Sequence, residues 1–274
     1  MPELPEVETV RRALDKQLIG RTIVRVRVVT RSMVSLPGDP PSGFMRSRTE
    51  AAPVPIASTL LLKGSTIATT ERHGKQLALI GNTGACVCIQ LGMTGSMQLE
   101  PGKAPAHTHV VWTTDDGQTL RFVDPRRFGL VSAYPSPEAL RSQRWSSLGP
   151  DALTIDSKAL SRACSGRTRA IKAVLLDQVL VAGVGNIYAD EALFKARVNP
   201  GRPAGSLGKQ EIASIAGEIR KTLACAVEAG GSTIRDYRTP EGGVGGFQDQ
   251  HLVYGRANLP CRVCSTTLMP TKIA

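Results

Sequence analysis

The order of apolar and polar residues divides the chain into unlike parts. Val7, Val10, Leu14 and Leu18 recur at spacings of three and four, which predicts a helix over residues 5–19. Pro5 suits its first turn, Glu6 and Glu8 lie at the positive end of the helix dipole, and Gly20 ends it. From Arg21 to about Tyr134 the period changes to two. Val24, Val26 and Val28 alternate with Arg25 and Arg27, predicting a strand over 22–29 with the valines on one face. Residues 109–114 and 118–123 flank an Asp-containing turn that ends in Gly117, a hairpin signal. The stretch 31–55 is rich in Pro, Ser and Gly and reads as a mobile insertion loop. Pro135, Pro137, Gly149 and Pro150 mark 135–150 as a linker.

Helices dominate afterwards. Ile171, Val174, Leu175 and Val179 share a face, and a second helix runs from the AGVGNIY segment (182–188) to about Ala196. A third covers about 206–229, striped by Ile212, Ile215, Ile219, Leu223 and Val227 and stopped by Gly230-Gly231. The tail from Gly242 is Gly-rich, then a short strand, then Cys261-Arg-Val-Cys264. Strands segregated from helices predict an α+β chain of two different domains rather than one wound sheet. The boundaries expected are 1–134, a linker at 135–150, 151–241, and a terminal segment 242–274.

Composition narrows what such a chain does. Its 274 residues leave room for two cores, and 41% hydrophobic residues argue against disorder. No apolar run approaches the roughly 18–20 residues of a membrane span. The acidic start lacks the apolar stretch of a signal peptide, so a cytoplasmic protein is expected. The net charge is +11. Solubility is the bland reading of that excess, and a polyanionic partner is the sharper one. Before residue 151 there are 18 basic and 12 acidic residues, leaving +6, so +5 falls after it. Both parts share the charge, as a nucleic acid gripped in a cleft between two domains would require. Eleven aromatic residues are few for a single-strand stacking platform. Duplex DNA or structured RNA fits better.

The N-terminus carries candidate chemistry. Removal of Met1 would leave Pro2 as a secondary α-amine. Such amines titrate near ~7.7–8.0, far below lysine, so a useful fraction is neutral at physiological pH. Attack on a carbonyl-like carbon then gives an iminium ion, an electron sink. Glu3 and Glu6 would supply a carboxyl for proton transfer, although an acidic first turn also simply caps a helix. Other residues are ambiguous alone. Lys75 reads as a strand lysine, Met93 and Phe128 as core residues. His107 and His109 alternate on a strand, an arrangement poor for a shared metal, and read as structural. Gly183-x-Gly185 lacks the third glycine and the βαβ setting of a dinucleotide site.

Taken together, the motifs are similar to the formamidopyrimidine-DNA glycosylases. They run from Met1-Pro2-Glu3-Leu4-Pro5-Glu6-Val7-Glu8 through Arg72-His73-Gly74-Lys75, Leu91-Gly92-Met93-Thr94-Gly95-Ser96 and His107-Thr108-His109. Asp124-Pro125-Arg126-Arg127-Phe128-Gly129, Leu148-Gly149-Pro150, 184–191 and Val253-Tyr254-Gly255-Arg256 continue the likeness over nearly the whole chain. The resemblance implies an N-terminal β-sandwich flanked by helices and a C-terminal helix-two-turn-helix domain with a zinc-finger hairpin. It implies excision of oxidised purines from duplex DNA. In that family Pro2 attacks the anomeric carbon and forms a Schiff base, Glu3 handles protons at the sugar ring oxygen, and Glu6 supports them. β- and δ-elimination then cut the strand at an abasic site.

The resemblance further implies that Lys75 contacts phosphates at the lesion and Asn186 binds phosphate at a helix start. Met93, Arg126 and Phe128 would fill the gap left by the flipped nucleotide. Lys172 falls near the lesion pocket, with a solvated lysine as the alternative. His107, Gln90 and Arg127 are DNA-contact candidates, and Arg127 could instead pair with Asp124. Gly242–Gly246 matches a loop that folds over the extruded base. Two departures stand out. Gln90 replaces the family's histidine before Leu-Gly-Met. Cys261 and Cys264 give half of a four-ligand zinc site, with His251 the nearest histidine and no Cys or His after Cys264. Truncation, a degenerate finger or a redox pair would each account for that; zinc remains the one cofactor implied. A monomer is expected. The alternatives are an endonuclease VIII-type glycosylase for oxidised pyrimidines, disfavoured by Leu4, and a non-catalytic lesion-binding protein.

Overall fold

The computed structural model describes residues 2–37, 39, 57–99, 102–235 and 237–273. The expected insertion loop therefore lies largely outside the described residues. Its start is ordered as a 3-10 turn at Arg31–Met33 and a strand β2 (Val34–Ser35).

The chain resolves into two compact units. The first comprises residues 1–2, 6–146 and 233–245; the second comprises 3–5, 147–232 and 246–274. Helix α1 (Leu4–Leu18) follows the predicted stripe, with Val7, Val10, Leu14 and Leu18 at most 1% exposed. The first unit holds two sheets. One has the order β1 (Ile23–Val28), β7 (Thr108–Thr114), β8 (Thr119–Val123), β6 (Ser96–Gln98). The other runs β2, β9 (Leu130–Tyr134), β5 (Cys86–Gln90), β4 (Gln76–Gly81), β3 (Ile67–His73). Leu77, Leu79, Val87 and Ile89 of the second sheet share one core with Val110, Trp112, Leu120 and Phe122 of the first. This is a sandwich whose inward side chains alternate along each strand.

Several sequence expectations change. The alternation predicted for β1 fails at Val24, which is 49% exposed. A register shift between Ile23 and Arg25 inserts an extra residue there. Such a bulge turns its side chain out of the alternation. The β7–β8 hairpin forms as predicted, with Asp116 Oδ1 accepting from Thr114 Oγ1 at 2.6 Å and Gln118 N at 3.2 Å. The segment expected as a linker instead folds as α2 (Pro137–Gln143) and a 3-10 turn, Trp145–Ser147. Ser136 caps α2, its Oγ accepting from Ala139 N, and Pro137 opens it. Ser followed by Pro is a helix start as much as a loop signal.

The second unit is helical: α3 (Ser157–Cys164), α4 (Ile171–Leu176), α5 (Asn186–Lys195) and α6 (Lys209–Glu228). Val179 is 65% exposed rather than part of the α4 face. Asp177 ends that helix, its Oδ1 accepting from Val179 N at 3.1 Å. The tail contains no regular strand among its described residues, only a bridge between Pro260 and Thr267. No described helix is long and apolar enough to cross a membrane.

Candidate functional site

In the first unit, Pro2 is buried and Glu6 is 1% exposed. The Tyr237 hydroxyl donates to the Glu6 carbonyl oxygen at 3.4 Å. Burial and the nearby Glu6 charge push the Tyr237 hydroxyl pKa upward.

Lys75 sits in the β3–β4 turn, beside Gly74 at φ 56°. That turn is tied to α1. Arg72 donates from Nε to Glu8 Oε2 and from Nη1 to the Gly74 carbonyl, both at 3.0 Å. Arg11 and Arg12 also donate to the Glu8 carboxylate. Burial alone would raise the Glu8 pKa. The hydrogen bond and charge of Arg11, with Arg72 and Arg12, outweigh burial and hold it at about 2 instead of 4.5. The lowered folded-state pKa means that Glu8 stabilises the fold above pH 4.5 and loses this effect as pH falls toward 2. Its contribution at neutral pH is about 3 kcal/mol. Urea unfolding of wild type and Glu8→Gln should show a gap of that order at pH 7, with about 2 kcal/mol of it gone by pH 3. A gap constant across that range would contradict the assignment.

Met93 and Phe128 are not core residues; they are 40% and 46% exposed. Gly92, at φ 69°, lets their loops meet, since a Cβ there would lie 2.5 Å from the Phe128 carbonyl carbon. The Arg126 guanidinium carbon is 4.8 Å from the Phe128 ring centroid. The fully buried Asp124 organises this surface. Its Oδ1 accepts from Thr94 Oγ1 at 2.5 Å and Arg126 N at 3.2 Å, and its Oδ2 from Gly129 N at 2.7 Å. Sequence reasoning weighed Asp124 only as a partner for Arg127 and missed this role; an Asp before Pro, followed by backbone donors, was the available signal. Arg127 takes φ 56°, and its amide donates to the Asp124 carbonyl.

The two histidines differ. His107 precedes β7 rather than alternating within it; it is exposed at φ 62°. His109 is 2% exposed, with Nε2 2.8 Å from the Asp124 carbonyl and Nδ1 2.9 Å from Thr30 Oγ1. Burial lowers its pKa. A neutral ring donating from Nε2 and accepting at Nδ1 satisfies both contacts. Gln90 is also committed: its Oε1 accepts from Arg144 Nη2 at 2.7 Å. Arginine has no acceptor, so the Gln90 amide nitrogen must point the other way. The Gly-rich run is held in turns, with Gly243 N donating to Thr239 Oγ1 and Gly245 N to Thr233 Oγ1.

In the second unit, Glu3 is 3% exposed and lies at the N-terminus of α5. Its carboxylate accepts from Gly185 N at 2.8 Å, Ile187 N at 3.0 Å and Tyr188 N at 3.5 Å. Gly185 leaves room for this carboxylate, because a Cβ there would fall 2.3 Å from Glu3 Cδ and displace it. Asn186 opens α5 and is exposed. Lys172 is not simply solvated: its Nζ lies 2.7 Å from Asp190 Oδ1, with 13% of its side chain exposed. Burial raises the Asp190 pKa against the opposing effect of Lys172. Glu191 is fully buried. It accepts from the amides of Leu252, Val253 and Tyr254 at 2.9–3.0 Å.

The cysteine pair supplies two candidate sulfur ligands. Val263 N donates to Cys261 Sγ at 3.4 Å, and Cys261 N to the Thr266 carbonyl. His251 is no third ligand; it is 4% exposed, with Nε2 3.1 Å from Ser232 Oγ. Among the described residues no group of three or more metal ligands occurs. A tetrahedral structural ion needs four.

Residues 1–131 match the formamidopyrimidine-DNA glycosylase N-terminal domain, and 148–238 match the formamidopyrimidine-DNA glycosylase H2TH domain. The chain is 39% identical over 277 residues to the formamidopyrimidine-DNA glycosylase of Stutzerimonas stutzeri, covering all of this chain and 95% of that protein. It is similar to the crystal structure of the MutM (Fpg) protein from Thermus thermophilus, with TM-score 0.83 and 38% identity, covering 100% of this chain and 94% of the other. Lactococcus lactis Fpg, in complex with abasic-site DNA, is similar with TM-score 0.84 and 30% identity, covering 100% and 95%.

Proposed function

Because the chain belongs to the formamidopyrimidine-DNA glycosylase family, we propose that it removes oxidised purines from duplex DNA and cleaves the resulting abasic site. The observation that carries this reading is the exposed trio Met93, Arg126 and Phe128, mounted on Asp124. Two large apolar side chains and a cation held outside the core suit insertion into a base stack.

The chemistry follows from Pro2 and Glu3. With Met1 removed, the Pro2 nitrogen lone pair attacks the anomeric carbon. The bond to the damaged base breaks, and the base leaves with the bonding pair and takes up a proton. The Glu3 carboxylate takes the proton from the Pro2 nitrogen after attack and delivers it to the ring oxygen as the ring opens, leaving an iminium ion between Pro2 and the sugar. That cation acidifies the neighbouring carbon, so loss of its proton expels the 3′ phosphate, and a second elimination expels the 5′ one. Lys75, Gln90, His107, Arg127, Lys172 and Asn186 serve as contacts to the DNA in this reading. The 242–246 run closes over the extruded base. The protein works with the DNA in the cytoplasm. The family's structural zinc does not fit the residues present, and no step depends on it.

The test is borohydride trapping on a duplex carrying 8-oxoguanine opposite cytosine, with the N-terminus verified by intact mass. A covalent adduct and a one-nucleotide gap are expected. No adduct from protein that begins at Pro2 overturns the reading. Preference for oxidised pyrimidines in a parallel panel overturns the purine assignment alone.

A further inference from the structure

The outward face of the four-stranded sheet in the first unit carries a concavity of about 380 Å³. Arg25 and Arg27 of β1, Thr113 and Val111 of β7, Arg121 and Thr119 of β8, with Gly102 and Ala104, line it. The sheet register explains why the arginines converge. Arg27 pairs with Val111, which pairs with Arg121, so the two arginines flank one valine in a cross-strand row. That places their Cα atoms roughly 9.5 Å apart, and Arg25 about 7 Å from Arg27 along β1. Arg25 pairs with Thr113, and Thr113 with Thr119, so both hydroxyl residues lie in the neighbouring row.

Three like charges on one face need an explanation. No carboxylate belongs to the described lining, and neither Arg25 nor Arg27 has an ion pair or hydrogen bond among the described residues. The edge arginine, Arg21, by contrast, is paired with Asp116 at 3.2 Å. Arg121 is only 4% exposed, and its one partner among the described residues is the Gly102 carbonyl oxygen. Arginines this buried are ordinarily paired with an anion. The guanidinium fork matches phosphate oxygens bidentately, and the threonine hydroxyls add neutral donors.

We propose that this pocket is a phosphate-binding site, taking a group with two or more linked phosphates through Arg25, Arg27 and Arg121. None of its lining residues belongs to the lesion-recognition set. The same chemistry is offered by a DNA strand and by a free oligophosphate, and the test separates them. Tripolyphosphate is titrated calorimetrically into the full-length chain, into Arg25→Gln/Arg27→Gln, and into the charge-matched control Lys16→Gln/Lys63→Gln. These four side chains are exposed, so the variants fold. At least tenfold weaker binding by the arginine variant alone is expected. Equal binding by all three proteins, no binding to wild type, or equal weakening in the control overturns the site. The salt dependence of undamaged-duplex binding then identifies the source. A slope shallower by about 1.8 in the arginine variant, two lost phosphate contacts, assigns the pocket to a DNA strand. An unchanged slope with weakened tripolyphosphate binding assigns it to a free oligophosphate. Single-turnover excision stays at the wild-type rate either way.

Discussion

A chain that retains Met1 is expected to give no borohydride-trapped adduct with lesion DNA, while the same chain beginning at Pro2 gives one. An amide nitrogen shares its lone pair with the adjacent carbonyl, so within the Met1–Pro2 peptide bond the Pro2 nitrogen is no nucleophile. As a free secondary amine it is partly neutral near pH 7 and attacks directly. The predicted loss is at least roughly 10³-fold in single-turnover excision, or about 4 kcal/mol of barrier. The comparison uses two preparations of the full chain, one processed and one with a blocked N-terminus, each verified by intact mass. Equal adduct yield from the blocked chain would remove Pro2 from the mechanism.

Glu3→Gln is expected to lose in two ways at once. Removal of a positioned proton donor costs roughly 10²–10⁴-fold in rate. The same carboxylate also gathers the amides of Gly185, Ile187 and Tyr188. A glutamine accepts on one side only, and its NH₂ group faces another donor. The variant should therefore also lose about 1–3 kcal/mol of stability. Gly185→Ala tests the geometric half separately, because its Cβ displaces the carboxylate while Glu3 remains intact. Urea unfolding and single-turnover excision, measured together, should show both deficits in each variant. A Glu3→Gln chain with full stability would show that the helix start needs no charged cap. One with full activity would remove Glu3 from proton transfer.

What was legible in the sequence follows from range. The α1 stripe and the β7–β8 hairpin depend on neighbours within a few positions, and both appear as expected. The bulge at Val24 could not be read locally, because it arises from pairing with β7 some ninety residues later. Residues 137–147 carried two signals, Pro as punctuation and Ser-Pro as a helix start; the buried Leu140 and Trp145 make the helix worthwhile. At the candidate site, residue types were legible and partners were not. Lys172 needed Asp190, Gln90 needed Arg144, and Glu191 needed the amides of 252–254; each pairing is made by tertiary folding.

The Asp124 carboxylate has a mechanical consequence. Its bonds to Thr94, Arg126 and Gly129 fix the loop that carries Arg126 and Phe128 before any DNA arrives. Under the proposed function, little chain entropy is then lost when that loop inserts. If the protein part is already shaped, the variable term is the stiffness of the duplex. The insertion barrier then varies from step to step with stacking and pairing strength, lowest where a lesion has already loosened the helix. A rigid wedge in this sense acts as a hardness probe, and the DNA's own compliance is the first quantity it reads.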